Sequence, residues 1–207
     1  MPRLTEATAA KRRAHILQAA MRRIYDQGLL ATSVDDVCAE AAISKGAFYS
    51  HFPSKEALIY AVTDMLSDEL GPLDSTSLER FATSIFERQI EPAMQPTNAR
   101  FGIEMMAASI ADDGLRERLI ANLERFRASA ERAMIEMEAT GIARTGCDPA
   151  GSALTLQANL LGILCRNSVW TVQDGAAVRR SMHRLVNALL APTAEVERVE
   201  ALSEQAG

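Results

Sequence analysis

Apolar residues recur every three or four positions along almost the whole chain, and no run of alternating β-branched residues interrupts them. That spacing lines one face of a helix; a strand would need a period of two. The chain is therefore expected to be all-α, with about nine helices. The first shows the pattern: Ile16, Leu17, Ala20, Met21 and Ile24 fall between Thr8 and Gln27, and Gly28 makes a good C-terminal stop.

Local signals place the next elements. A short helix is predicted after Thr32-Ser33, with Val34, Val37 and Cys38 turned inward. Ser33 and Asp36 stand at capping-box spacing, although Asp replaces the usual Glu. Ala41-Ala42-Ile43-Ser44 makes a tight connection, and Ser44 can cap a third helix running from Lys45 to about Phe52. Pro53-Ser54 ends that helix and caps a fourth, over about 55–70, which meets the clearest break in the chain at Gly71-Pro72. Longer helices are predicted over about 77–94, 97–111, 114–140, 149–171 and 175–191. These breaks divide the chain into an N-terminal three-helix head (1–54), a larger C-terminal helical bundle (55–192) and a polar, acidic tail (193–207) expected to be partly disordered.

Composition narrows the class. With 48% hydrophobic and 24% charged residues in 207, the chain reads as a soluble globular protein. No apolar run approaches the roughly 20 residues that span a bilayer, and the first residues lack a signal peptide's apolar core, so a cytoplasmic location is expected. Cys38, Cys147 and Cys165 are scattered and read as buried free thiols, Cys165 leaving room for a redox role. The net charge of −5 is uneven: up to Tyr60 eight basic residues face six acids, and the remainder is acidic. A basic head suits a polyanion, but many proteins share that asymmetry.

The chemistry concentrates between Ala42 and Leu58. Three short helices, the second and third joined by a four-residue turn, outline a helix-turn-helix. One helix of such a unit crosses the phosphate backbone, and the next lies in the major groove, where each base pair shows its own donors and acceptors. Ile43, Phe48 and Phe52 supply a buried side. Ser44, Lys45, Gly46, Ala47 and Ser50 lie near the exposed start, where small residues permit close approach. Tyr49, His51 and Lys55 can reach flanking phosphates. Each alone could merely pack, cap or solvate; it is the joint spacing that points to DNA.

This segment resembles the recognition-helix signature of the TetR family of bacterial transcriptional regulators. The matching pattern is a small residue and a hydrophobe, then Ser44-Lys45-Gly46, Tyr49-x-His51-Phe52 and Lys55-Glu56-x-Leu58, preceded by Ile16, Ala19, Ala20, Gly28, Thr32-Ser33-Val34 and Val37. It covers about residues 10–60. Two departures are Ala42, where the family often has Gly, and Cys38, where it often has Ala. The resemblance implies that Tyr49, His51, Lys55 and Thr32, with Ser33 beside it, hold the DNA backbone, while Lys45, Gly46, Ala47 and Ser50 face base edges. It further implies a homodimer reading a palindromic operator, a small-molecule effector that releases it, and repression as the outcome. Activators and ligand-independent regulators also occur in the family.

For the body, the segment 149–171 is apolar nearly all round, as expected of a helix covered on two sides, and 175–191 carries the stripe Val178, Met182, Leu185, Val186, Leu189 and Leu190. The resemblance implies that this pair forms the dimer interface; both stripes equally suit intramolecular core. Candidate effector contacts are Phe86, Phe101, Met105, Met106, Phe126, Met134, Gln157 and Trp170, although apolar residues at helical spacing also describe ordinary core. No catalytic residue, cofactor or metal is expected: His15, His51 and His183 are scattered, and neither a nucleophile elbow nor a phosphate loop occurs. A helical adaptor that binds protein rather than DNA is the remote alternative.

Overall fold

The computed structural model describes residues 6–68, 71–169 and 174–192. Trp170, the expected helix ends at 70 and 171, and the tail 193–207 lie outside the described residues. Among the described residues there are nine helices and no strand. They are α1 (Glu6–Gln27), α2 (Val34–Glu40), α3 (Lys45–Tyr49), α4 (Lys55–Asp68), α5 (Leu78–Ile85), α6 (Pro96–Ser109), α7 (Asp113–Ala139), α8 (Pro149–Val169) and α9 (Gly175–Leu190). Helix α5 continues through a π-helical turn, Phe86–Ile90, into a last turn at Glu91–Ala93. The wide turn closes with the Glu91 N–H donating to the Phe86 carbonyl. It comes just before Pro92, which has no N–H to give to the carbonyl of Arg88.

Short polar side chains set most of the helix starts. Ser33 and Asp36 form the reciprocal capping box of α2. The hydroxyls of Ser44, Ser54 and Ser77 accept the backbone N–H of Ala47, Ala57 and Arg80 at 3.2, 3.1 and 3.1 Å. Helix α3 stops at Tyr49 rather than at Phe52 and closes in turns, because Pro53 keeps its predecessor out of helical geometry.

Contacts divide the chain into two compact units. The first holds α1–α4, α6 from Thr97 onward and α7 as far as Ala121. Its core joins Ile16, Leu17 and Ile24 of α1 to Val37 of α2, Phe48 of α3, Phe52 and Leu58, with Phe101 and Met105 of α6 completing it. Phe48 and Phe52 are essentially inaccessible to solvent, and burial of each stabilises by about 2–3 kcal/mol.

The second unit holds α5, α7 from Asn122 onward, α8 and α9. Phe81, Ile85 and Phe86 of α5 pack with Phe126 and Met134 of α7, Leu156 of α8 and Met182, Val186 and Leu190 of α9. The apolar stripe of α9 is thus spent within the unit, with Val178, Leu185 and Leu189 packed against the same cluster. Cys38 and Cys147 are buried free thiols as expected, but Cys165 is exposed. It lies on the outer side of α8, and helical spacing alone does not say which side of an apolar helix is covered.

Candidate nucleic-acid interface

The turn that sets α3 against α2 is a left-handed closure. Ala42 has φ of +51°, the Ala42 N–H donates to the Ala39 carbonyl at 3.2 Å, and the Ile43 N–H reaches the Cys38 carbonyl at 3.0 Å. This pair of bonds satisfies the last carbonyls of α2 and reverses the chain within two residues. It explains why a glycine serves well at position 42.

Helix α3 then presents two faces. Phe48 is buried, its ring edge-on to Tyr49 at 5.2 Å and tilted against Phe52 at 5.8 Å. On the other face Ser44, Lys45, Gly46, Tyr49 and Ser50 are exposed, and Ala47 is half-buried. Tyr49 keeps 51% of its surface in solvent. A Cβ on Gly46 would meet nothing closer than the Ser44 hydroxyl at 3.8 Å, so nothing within the protein requires glycine there. His51 and Lys55 are half-buried at the edge of this face, Lys55 opening α4.

Two expected backbone contacts have other engagements. Thr32 is buried, its hydroxyl donating to the Gly28 carbonyl at 2.7 Å and its N–H to the same oxygen at 3.2 Å. Ser33 is exposed but engaged with Asp36, which the Ser33 hydroxyl and N–H hold below the usual carboxylate range.

Three features were not visible in the spacing. Asp35 of α2 lies 2.8 Å from the Lys45 amine and pushes its pKa up. The Arg13 guanidinium stacks over Phe52 at 4.7 Å. Arg22 pairs with Glu40 at 2.7 Å, and Arg23 donates to Gln27 at 2.7 Å, so these two arginines brace the head. Asp35 and Lys45, Arg22 and Glu40, and Arg13 and Phe52 stand ten, eighteen and thirty-nine residues apart across turns, where no periodicity signals a meeting.

The expected effector contacts are shared between the two units. Phe101, edge-on to Tyr25 at 5.8 Å, and Met105 belong to the core of the first unit, and Met106 is half-buried on the same helix. Phe86, Phe126 and Met134 lie together in the core of the second. Gln157 is buried, its amide donating to the Leu123 carbonyl at 2.8 Å. The described residues contain no cluster of three or more His, Cys, Asp or Glu able to hold a metal, and no helix among them is long and apolar enough to cross a membrane.

Comparison with known proteins converges on the same segment. Residues 16–62 match the family model of bacterial regulatory proteins, tetR family. The chain is 31% identical over 121 residues to the HTH-type transcriptional regulator UidR of Escherichia coli strain K12, covering 56% of this chain and 58% of that protein. It is 37% identical over 68 residues to the HTH-type transcriptional regulator TtgR of Pseudomonas putida, a third of either chain. The chain thus matches less than two thirds of these relatives' length. Among solved structures, Salmonella enterica GusR superposes with a TM-score of 0.70 at 24% identity over 91% of this chain and 99% of that one. A TetR transcription regulator from Haloarcula marismortui gives 0.75 at 16% identity over 87% and 99%. The folds agree over nearly whole chains, while the sequence match concentrates on the head. Residues 16–62 thus form a helix-turn-helix head of the kind that defines the tetR family of bacterial regulatory proteins.

Proposed function

We propose that this protein is a dimeric, ligand-responsive transcriptional repressor of the cytoplasm that binds a palindromic operator through residues 44–55 and is released by a small-molecule effector. One observation carries the DNA part. Helix α3 is anchored by the buried Phe48 and Phe52, yet leaves Lys45, Gly46, Tyr49 and Ser50 on the surface. An element so anchored can enter a groove without rearranging. Tyr49, His51 and Lys55 would hold the backbone and Lys45 a guanine edge.

The outer face of α8 supports pairing of two copies. Leu154 and Val169 are 58% and 71% exposed, and Ala158, Gly162 and Cys165 line the same face at helical spacing. Small residues mid-stripe would let a second α8 approach closely. The outward residues of α9 are Ala176, Ala177, Arg180, Ser181, Arg184, Asn187 and Ala188, a polar flank for that contact.

The effector is proposed to lodge among Phe86, Phe126 and Met134, where methionine can repack and the buried Gln157 and Asn167 offer polar groups. A Saccharomonospora viridis protein described as a transcriptional regulator and solved in complex with choline, similar at a TM-score of 0.72 and 17% identity, supports ligand binding on this fold. Release would follow from tighter effector binding to a state whose heads no longer fit DNA, so operator DNA would weaken effector binding by the same factor. Helix α4 suits the lever: it opens with Lys55, and further along Tyr60 donates to Asp112 at 2.6 Å beneath the Arg118 guanidinium.

A gel-shift series on duplex DNA tests the reading. Log affinity should fall linearly with log salt as phosphates are neutralised. A protein that ignores every duplex at low salt is not a DNA-binding regulator. A screen in which no small molecule alters operator affinity would remove the effector alone.

A further inference from the structure

An acid stands on the face that must meet a polyanion. Asp35, in the first turn of α2, places its Oδ1 2.8 Å from the Lys45 Nζ, and the two side chains are 65% and 63% exposed. Ion pairs this open contribute little to folding, and α2 already has its capping box in Ser33 and Asp36. Fold stability therefore gains from Asp35 only the modest attraction of an acid to the first turn of a helix. For nonspecific binding it is a liability, since a carboxylate beside phosphates opposes the electrostatic term that supplies such affinity.

The pair makes sense as a reader. Base pairs stack about 3.4 Å apart, close to the separation of the two charged groups. When the Lys45 amine reaches the major-groove acceptors of a guanine, the Asp35 carboxylate lies at the same base pair or the next. A carboxylate can only accept. Cytosine N4 and adenine N6 offer it an amino group, whereas guanine O6 and N7 and thymine O4 repel it. Lys45 is held in its charged form by the hydrogen bond it donates to the Asp35 carboxylate.

Resting on the DNA-binding reading above, we propose that Asp35 is a specificity-determining residue: it aims the Lys45 amine at a guanine edge and itself demands an amino-bearing base edge beside it. Asp35 thereby trades nonspecific affinity for discrimination.

The test uses the full chain as wild type, Asp35→Ala, Asp35→Glu and Lys45→Ala, each first checked for an unchanged melting curve. Each protein selects from a randomised duplex pool, the retained fragments are sequenced, and affinities for the wild-type consensus and a scrambled duplex are measured across salt. Wild type should recover a guanine adjoining an amino-bearing base position. Lys45→Ala should lose the guanine. Asp35→Ala should lose the preference beside it, bind the scrambled duplex more tightly, and lower the consensus-to-scrambled ratio about tenfold. Asp35→Glu, which keeps the carboxylate, should restore the preference. The inference is overturned if Asp35→Ala weakens both duplexes by one factor, if it leaves ratio and motif unchanged, or if no amino-bearing position accompanies the Lys45-dependent base. If wild type retains no duplex at low salt, the DNA-binding reading itself fails and takes this inference with it.

Discussion

Glu104 on α6 accepts the backbone N–H of Leu29 at 2.5 Å, and its carboxylate occupies the space in which a Cβ at residue 28 would stand, 2.8 Å away. One turn earlier on α6, Arg100 donates to the Tyr25 and Asp26 carbonyls at 2.9 and 3.1 Å. The open carbonyl end of α1 is thus closed by side chains from a helix some seventy residues later. Gly28, at φ of +99°, is the one residue in the turn that permits this approach. Gly28→Ala should cost about 2–4 kcal/mol, combining left-handed strain with displacement of the Glu104 carboxylate. Glu104→Ala should cost about 1–3 kcal/mol. Urea unfolding measures both, and a Gly28→Ala protein as stable as wild type would show that the latch is not formed.

The opposite outcome is expected at Ala42. Its exposed side chain makes no packing contribution, but its φ of +51° strains any residue with a Cβ. Ala42→Gly removes that strain and gives back part of the gain through a more flexible unfolded chain. The net stabilisation should be about 0.5–1 kcal/mol, visible as a higher melting temperature. A lower one would mean that the turn is not left-handed in solution.

These two glycine-sensitive positions mark what the sequence could and could not convey. Signals acting over three or four residues were readable: the Ser33–Asp36 box, the Ser44 and Ser54 caps, and Gly28 as a helix stop with positive φ. The helix-turn-helix could be identified because its requirements are local. Contacts across turns were not readable. Apolar spacing says that Phe101 and Met105 are covered, not that the core of the first unit covers them, Tyr25 of α1 lying edge-on to Phe101. The stripe of α9 had two possible destinations, and Met182, Val186 and Leu190 went to the core. Cys165 is exposed rather than buried because the spacing of a helix apolar nearly all round does not identify its open side.

On the reading face, Tyr49→Ala and Lys55→Ala should weaken binding to operator and random duplex alike, by about tenfold each, with Lys55→Ala lowering the salt slope by about one. Lys45→Ala should lose more on the operator than on random DNA. Gly46→Leu should fold normally, since its Cβ meets only the Ser44 hydroxyl at an ordinary 3.8 Å, yet lose operator affinity because the helix can no longer approach the groove. Fluorescence anisotropy on both duplexes resolves the four. Equal operator affinity in all of them would displace the reading element from α3.

In the second unit, Asp74 is held at a pKa of about 2 by the Thr76 hydroxyl and N–H and the Arg80 guanidinium. A carboxylate depressed in the folded state contributes stability above its unfolded pKa, and that contribution fades as acid protonates it towards the folded value. Wild type should therefore melt higher than Asp74→Asn at neutral pH, and the gap should close between about pH 4 and pH 2. A gap that persists at low pH would indicate a packing defect in the variant.

Gly162 isolates the pairing surface from the fold. A Cβ there meets nothing within 4 Å, and leucine or glutamate forms helix better than glycine by up to about 1 kcal/mol. Gly162→Glu should leave helical content intact while setting like charges against each other where two α8 helices would meet about a two-fold axis. Leu154→Glu, at the exposed end of the stripe, should act the same way. Sedimentation velocity should then show wild type as a dimer and both variants as folded monomers. Operator affinity should fall by about a hundredfold or more, because two heads on one palindrome act at a high effective concentration that separate heads lack. Variants that remain dimeric would move the interface to another face and leave the exposed stripe of α8 without its proposed partner.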